Sequence, residues 1–236
     1  FLIATCIIIV MKGFERRRFL KALLLAPAAI LAEKMPFRAL ARENQGSANA
    51  DLHSGHMRSE SYQPAYIALH KSGELRTRGQ VLHEMMRNCN ICPRECGTNR
   101  LRGRRGECNA NARLQISSAY PHFGEETELV GSKGSGTVFF SNCSLKCVFC
   151  INYDISHHGK GNYATIGELA DMMLGLHRLG CHNINLVTPS HYLPHIFQAI
   201  DQAAGRGLRL PIVYNTCGWE KPEIMDLLNG LVDVYL

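Results

Sequence analysis

The second half of the chain alternates between apolar residues at helical spacing and short, continuous β-branched runs. The helical pattern of Thr165 to Leu179 has one apolar face and Thr165 as a candidate N-cap. Two further helices are predicted at Pro194 to Ala204 and Pro222 to Leu228. The runs between them predict strands, namely Thr137 to Ser141, Ile184 to Val187, Leu210 to Tyr214, and the opening of a fourth at Leu231 to Leu236. This alternation predicts a parallel barrel or an open parallel sheet.

The first half of the chain has a weaker pattern. Residues 42–63 are rich in Asn, Ser, Gly and His and have no apolar period, so they are interpreted as a linker. Pro64 to Met86 is helical in spacing and broken at Ser72 and Gly73. Its expected core contacts are Ile67, Leu69, Val81, Leu82 and Met85. The predicted organisation is a signal segment at 1–41, the linker, a helical and Cys-rich region at 64–130, and an incomplete α/β core at 131–236.

The signal segment explains most of the net charge. We expect translation to start at Met11, followed by a basic region with Arg16 to Arg18, an apolar run from Ala22 to Ala32, and a cleavage site at Ala39 to Ala41. The arginines resemble a twin-arginine export signal. Eleven apolar residues are too few for roughly 30 Å of hydrocarbon, so no permanent membrane span is expected. Residues 1–41 carry +5 of the chain's net +6, which removes the electrostatic support for nucleic-acid binding.

Composition allows a sizeable core. The chain has 236 residues, of which 46% are hydrophobic, as in a globular protein of one medium domain.

Three cysteines directly after the first predicted core strand are the main chemical signal. Cys143, Cys147 and Cys150 form a CxxxCxxC motif. Three thiolates in one loop can hold three irons of a cubic iron-sulfur cluster and leave the fourth iron open to an outside ligand. The alternatives are a zinc knuckle completed by His157 or His158, or a disulfide with one free thiol. The carboxyl end of a parallel strand is where α/β folds build active sites.

A second cysteine group precedes the core. Cys89, Cys92, Cys96 and Cys108 lie within twenty residues, which suits a zinc knuckle or an auxiliary iron-sulfur cluster, with two disulfides as the third choice. We favour a bound metal. For Cys181 and Cys217, buried inert thiols are expected.

The residues from about Asn88 onward resemble the radical S-adenosylmethionine (SAM) superfamily, and in particular uncharacterised members of the branch related to pyruvate formate-lyase activating enzymes. The resemblance lies in the triad with Phe149 and Asn152, and in several further strings: Cys92-Pro-Arg-Glu-Cys96, His122-Phe-Gly-Glu-Glu126, Gly134-Ser-Gly-Thr137, Asn183-Ile-Asn-Leu-Val-Thr-Pro189 and Pro211-Ile-Val-Tyr-Asn-Thr216. One departure is Ile151, where the activating enzymes commonly have Gln.

The resemblance implies that Cys143, Cys147 and Cys150 bind a [4Fe-4S] cluster whose open iron takes SAM. Phe149 would lie against the adenine, and Asn152 is a further candidate for cofactor binding. Polar residues at the strand ends are candidates for contacts to SAM or substrate, namely Thr188, Ser190 and His191 after the second strand and Asn215, Thr216 and Cys217 after the third. Of these residues, Thr188 and Asn215 are expected to bind the cofactor. His191 is expected to have a structural role or to face the substrate.

The expected fold is therefore α/β, a partial parallel (β/α) barrel of the radical SAM type, truncated after the start of the fourth strand and preceded by a Cys-rich metal knuckle. The expected activity is reductive cleavage of SAM to a 5′-deoxyadenosyl radical that abstracts hydrogen from an unknown substrate, with activation of a glycyl radical enzyme as one role. The expected partners are a low-potential electron donor such as flavodoxin or ferredoxin, and a protein substrate. The alternative is a non-catalytic iron-sulfur electron carrier or metal-binding protein.

The two signals point to different compartments. The leader predicts export to the periplasm, whereas SAM and low-potential donors belong to the cytoplasm, which is the second choice.

Overall fold

The computed structural model describes residues 62–236. The expected start at Met11, the signal segment and nearly all of the linker lie outside these residues. The described part is a mixed α/β structure built on one six-stranded sheet of order β3-β1-β2-β4-β5-β6. The strands are β1 Gln115–His122, β2 Ser135–Phe140, β3 Asn162–Tyr163, β4 Ile184–Val187, β5 Ile212–Asn215 and β6 Val234–Tyr235.

Four neighbouring strands of this sheet are parallel, in the order β2-β4-β5-β6. They are joined by helices α5 (Ile166–Arg178), α6 (Leu193–Gly205) and α7 (Pro222–Leu228). The alternation of strand and helix predicted from the sequence is confirmed, and the arrangement is compatible with a partial radical SAM barrel. Short parallel strands of this kind need helices on their faces, which is why the apolar periods of α5 and α6 were visible in the sequence.

Helix α5 begins where the sequence predicted. Thr165 is its N-cap, and its hydroxyl accepts a hydrogen bond from the backbone N–H of Glu168, while the Glu168 carboxylate accepts one from the N–H of Thr165. This capping box satisfies two of the free N–H groups at the helix start.

The amino-terminal part forms two helices, α1 (Tyr66–Ser72) and α2 (Glu74–Met85), separated by Gly73. Gly73 has a φ of 80°, a left-handed conformation that glycine adopts at low cost, so the predicted break is confirmed. Of the expected core residues, Ile67, Leu69 and Leu82 are buried and Met85 packs against the core. The prediction for Val81 is wrong, since it is 48% exposed. Helix α2 packs against α6, and its buried residues are Leu75, Gly79 and Leu82.

Residues 86–114 form irregular loops with two short 3-10 turns, Met86–Asn88 and Arg100–Arg102. The loops lead into β1, which pairs with β2 and with β3 in antiparallel fashion. The short helices α3 (Thr127–Val130) and α4 (Tyr153–Ser156) lie between β1 and β2 and between β2 and β3, respectively. Strand β1 precedes residue 131 but belongs to the same sheet as the strands that follow. The predicted domain boundary at residue 131 stays a prediction.

Helix α6 lies at the centre of the apolar core. It packs against α1, α2 and α5, and Ile196, Phe197 and Ile200 are fully buried on it. Among residues 62–236, no helix is both long enough and apolar enough to cross a membrane.

Candidate metal centre

The cysteine triad lies in the loop that follows β2. Cys143 comes three residues after Phe140, the end of the strand, and is buried, whereas Cys147 and Cys150 are half-buried. Asn142 and Lys146 have φ values of 72° and 56°, so the chain turns tightly around Cys143.

Backbone N–H groups point at the first thiol of this loop. Burial raises the pKa of Cys143, and hydrogen bonds from the N–H groups of Lys146 and Leu145 act in the opposite direction because they favour the thiolate. The third thiol has a side-chain donor, since the Ser156 hydroxyl lies 3.3 Å from the Cys150 sulfur. The loop therefore carries donors to sulfur of the kind that support metal-bound thiolates.

Backbone hydrogen bonds hold the loop just before the triad and within it. The N–H of Asn142 donates to the carbonyl of Ile155 at 2.8 Å, and the N–H of Cys150 donates to the carbonyl of Cys147 at 3.2 Å. Asn152 occupies the position before α4 without making a side-chain cap. Phe149 is 83% exposed, and its neighbours Val148 and Ile151 are exposed as well, so an apolar surface stands open on the loop.

The two histidines after the triad are held beside α4. His157 stacks on Tyr153 with ring centroids 4.1 Å apart, and its Nδ1 lies 2.8 Å from the Ser156 hydroxyl. His158 is largely exposed and its Nδ1 lies 3.2 Å from the carboxylate of Asp154.

Neither cysteine group is a ready-made metal site. Within residues 62–236, no three or more Cys, His, Asp or Glu side chains already converge on one metal position. The donor set of the triad nevertheless fits an iron-sulfur cluster, since soft thiolates are its usual protein ligands and two of the three sulfurs have hydrogen-bond donors. The thiols would complete their geometry as the metal binds.

The polar residues predicted at the strand ends come together at one edge of the sheet. The N–H of Thr188, just past β4, donates to the carbonyl of Asn215 at the end of β5, at 3.0 Å. Thr188 has a φ of 58°, which is uncommon for a β-branched residue and marks a tight turn.

His191 has a structural place. It is 1% exposed, and its Nε2 lies 2.8 Å from the carbonyl oxygen of Ser141, which precedes the triad. Burial lowers its pKa to about 3, so the ring is neutral at physiological pH and donates to that carbonyl. His191 therefore supports the base of the cysteine loop, as the structural alternative predicted.

Of the two remaining cysteines, Cys181 is buried as predicted, whereas the prediction that Cys217 is buried is wrong. Cys217 follows β5 in an exposed loop. Its pKa is raised to about 11, first by partial desolvation of the thiol and then by the negative charges of Cys143 and Glu220. The thiol therefore belongs to the neighbourhood of the triad.

Glu220 is a residue of this edge that the sequence did not single out. The hydroxyls of Ser190 and Tyr235 donate to its two carboxylate oxygens, each at 2.6 Å, and the hydroxyl of Thr216 donates as well. The hydroxyl of Tyr214 lies 3.4 Å away. No local pattern predicts such a residue, because its partners come from three separate elements.

The second cysteine group lies in the loops of residues 86–114. Cys89, Cys92 and Cys108 are buried and Cys96 is half-buried. Arg94, between two of these cysteines, reaches the triad loop, where its guanidinium donates to the carbonyls of Ser144 and Leu145. The two cysteine loops are therefore in direct contact.

A surface cleft lies away from the triad and the strand ends. It has a volume of about 650 Å³ and is lined by α2 and the residues that follow it, including Gln80, Glu84 and Asn88. None of the residues at the strand ends or in the triad lines it.

Comparison with known proteins points to the same chemistry. The model of the Radical SAM superfamily matches residues 137–236. An uncharacterized protein of Methanocaldococcus jannaschii is 32% identical over 163 residues, which are 66% of this chain and 46% of that protein. The chain thus spans less than half the length of that relative. No solved structure matches the chain. The match begins within β2 and covers the cysteine loop and the parallel strands, and residues 137–236 are accordingly a radical SAM superfamily domain.

Proposed function

We propose that this protein is a radical SAM enzyme in which Cys143, Cys147 and Cys150 hold three irons of a [4Fe-4S] cluster and the fourth iron receives SAM. The observation that carries the proposal is the loop after β2, which presents three thiols, with donors to two of the sulfurs, at the carboxyl end of a parallel strand. When bound and reduced, the cluster would supply the electron that splits SAM into methionine and a 5′-deoxyadenosyl radical able to take hydrogen from a substrate.

The chain's own residues would bind and orient SAM. Phe149 offers an exposed aromatic face to the adenine, and its exposed neighbours Val148 and Ile151 would lose water on binding. Asn152, Thr188 and Asn215 supply polar groups near the loop and the strand ends. The linked ends of β4 and β5 favour a fixed position for these groups.

The electron donor is proposed to be an acidic low-potential protein such as flavodoxin or ferredoxin. Arg102, Arg104 and Arg105 are exposed on the Cys-rich loops. A group of exposed arginines attracts an acidic partner and speeds its association. We propose activation of a glycyl radical enzyme as the role of the radical, because the cysteine loop resembles that branch of the superfamily. The substrate would then be a protein glycine.

Electron paramagnetic resonance tests the proposal. The full chain would be reconstituted anaerobically with iron and sulfide, reduced, and measured with and without SAM, as wild type, Cys147→Ala and the control Cys181→Ala. Cys181 is buried outside both cysteine groups, so its variant controls for loss of a thiol. We expect a reduced [4Fe-4S] signal that SAM shifts, present in wild type and control and lost in Cys147→Ala.

A cluster signal that does not respond to SAM would contradict the enzyme assignment and favour an iron-sulfur electron carrier. A signal retained in Cys147→Ala would contradict the assignment of the triad.

A further inference from the structure

Arg100 is a buried cation without an acidic partner. Its side chain is 0% exposed, and within residues 62–236 it forms no ion pair with Asp or Glu. Its guanidinium donates to the carbonyl oxygens of Asn111, at 2.9 Å, and His191, at 2.8 Å. Carbonyl oxygens satisfy the N–H groups but do not neutralise the charge, and a buried charge is costly unless it is paired.

The groups able to balance Arg100 are thiols of the second cysteine group. Its Nη1 lies 3.9 Å from the sulfur of Cys89. Burial raises the pKa of Cys108, and the positive charge of Arg100 acts against that rise. Deprotonated cysteines would give this buried guanidinium the negative partner that no carboxylate provides.

The backbone is arranged to support negative sulfur in the same group. Cys92 accepts a hydrogen bond from the N–H of Arg94, Cys96 from that of Thr98, and Cys108 from that of Ala110. In each case the donor is two residues after the cysteine, so one turn geometry occurs three times.

Two of these turns contain a residue in the left-handed region. Gly97 has a φ of 63° and Asn109 a φ of 68°, and these are residue types that tolerate this conformation. Hydrogen bonds to the charged form of a thiol stabilise that form, as metal binding requires.

Two of the sulfurs face a common point, although the four thiols do not yet converge on one metal position among the described residues. The position that a Cβ on Gly106 would take is 3.3 Å from the sulfur of Cys96 and 3.5 Å from that of Cys108, so both thiols crowd the same point. The N–H of Cys89 donates to the carbonyl of Thr98, which joins Cys89 to the turn of Cys96, and the N–H of Gly106 donates to the carbonyl of Ala110, which closes the turn of Cys108. Tetrahedral zinc with bonds of about 2.3 Å needs closely spaced sulfurs, whereas a cubic cluster needs room for four irons.

We infer that Cys89, Cys92, Cys96 and Cys108 bind one zinc ion as a tetrahedral four-thiolate site, with Arg100 as its buried counter-charge. Zinc replaces the four thiol protons, which leave to solvent, and the bound site carries a net charge of −2 that the guanidinium partly balances. No electron is transferred. The inference goes beyond the proposed function and does not depend on it.

Metal analysis of the full chain tests the inference. The protein would be produced with both zinc and iron supplied and purified anaerobically, and zinc and iron would be measured per chain in wild type, Cys96→Ser, Cys108→Ser and the control Cys181→Ala. We expect about one zinc per chain in wild type and control. Both serine variants should lose most of the zinc and keep the iron bound by the triad.

A second measurement covers the case in which the serine variants fold poorly. Cobalt would replace zinc in the wild type, and we expect the visible absorption of tetrahedral cobalt with four thiolates. Arg100→Met should release zinc to a chelator faster than wild type, and Arg100→Lys, which keeps the charge, should lie between the two.

Three results would overturn the inference: wild type without zinc, serine variants that lose iron instead of zinc, or disulfides joining the four cysteines. Because zinc reports on this site and SAM-sensitive iron reports on the triad, failure of one assignment is distinguishable from failure of the other.

Discussion

At the scale of single residues, Glu220 fastens the ends of three parallel strands. Its carboxylate receives hydroxyls from Ser190 after β4, from Thr216 after β5 and from Tyr235 on β6. Its negative charge is also one reason, after burial, that the pKa values of Tyr214 and Tyr235 are raised, so both phenols stay protonated as donors.

We expect Glu220→Gln to lower the free energy of unfolding. The amide keeps the size of the side chain, but its N–H₂ group would face a hydroxyl that donates to a carboxylate oxygen in the wild type. Two facing donors leave a hydrogen bond unmade, which costs about 1–3 kcal/mol. Urea unfolding followed by circular dichroism measures the change. The control is Glu223→Gln, because Glu223 is exposed and its ion pair with Lys221 contributes little. Equal decreases in the free energy of unfolding of the two variants would show that the hydroxyl groups around Glu220 stabilise the fold no more than the exposed ion pair does.

The site residues were predictable from the sequence where their spacing or their position after a predicted strand marks them. The triad is visible in its spacing, and Thr188 and Asn215 follow from the rule that parallel strands end at one edge. Arg94, Arg100 and Glu220 were not predictable, because each acts through groups from separate elements, such as Arg100 on His191. Such contacts exist only once the topology is known.

At the scale of elements, Arg94 couples the two cysteine loops. Its Nη2 donates to the carbonyl of Leu145 at 3.0 Å and its Nε to that of Ser144, while its guanidinium lies 5.4 Å from the ring of Trp219. The planar fork reaches two carbonyls at once, which a lysine ammonium cannot do with the same geometry.

We expect Arg94→Lys to weaken retention of the iron-sulfur cluster with little change in the fold. Loss of a charged hydrogen bond is worth about 1.5–3 kcal/mol, so iron loss to a chelator should speed up by about tenfold or more. The rate of bleaching of the cluster absorption measures this. Arg87→Lys is the matched control, since Arg87 is exposed and pairs only with Glu84 among the described residues. Unchanged bleaching in Arg94→Lys would show that the triad loop holds its shape without this contact.

The elements themselves were predictable to differing degrees. Helices α5 to α7 have apolar periods and start signals, and β4 is a continuous apolar run apart from Asn185, so their bounds were close to those observed. Strand β1 was not predicted, because Ser117, Ser118 and Pro121 interrupt its pattern and most of its residues are only half-buried. Its strand conformation comes from pairing with β2, a tertiary effect that a local pattern does not show.

At the scale of the whole molecule, two buried histidines join separate elements: His191, after β4, contacts the chain just after β2, and His195, on α6, contacts the loop before β1. Nε2 of His191 lies 2.8 Å from the carbonyl of Ser141, and Nε2 of His195 lies 2.8 Å from that of Ala112. The Nδ1 atoms of both rings are buried without a hydrogen-bond partner among the described residues. Protonation would place a second charge at a dry position near Arg100.

These histidines make stability fall in mild acid. Burial lowers the pKa of His191 to about 3 and that of His195 to about 4, below the unfolded value of about 6.5. Between pH 6.5 and 4 the unfolded chain therefore binds protons that the folded chain refuses, so the free energy of unfolding decreases as the pH falls. Each histidine costs about 2 kcal/mol at pH 5 and nothing above about pH 7.

A comparison of variants isolates this effect from acid release of the proposed metals, which would affect all of the variants alike. The free energy of unfolding would be measured in urea at pH 7, 6 and 5 for wild type, His195→Gln and the control His158→Gln, which removes a largely exposed ring. Glutamine keeps a donor for the carbonyl of Ala112 but does not titrate. Wild type and control should lose about 2 kcal/mol more than His195→Gln between pH 7 and pH 5. Parallel curves for all three proteins would mean that His195 is protonated in the folded state, and that the region between α2 and α6 is open to water.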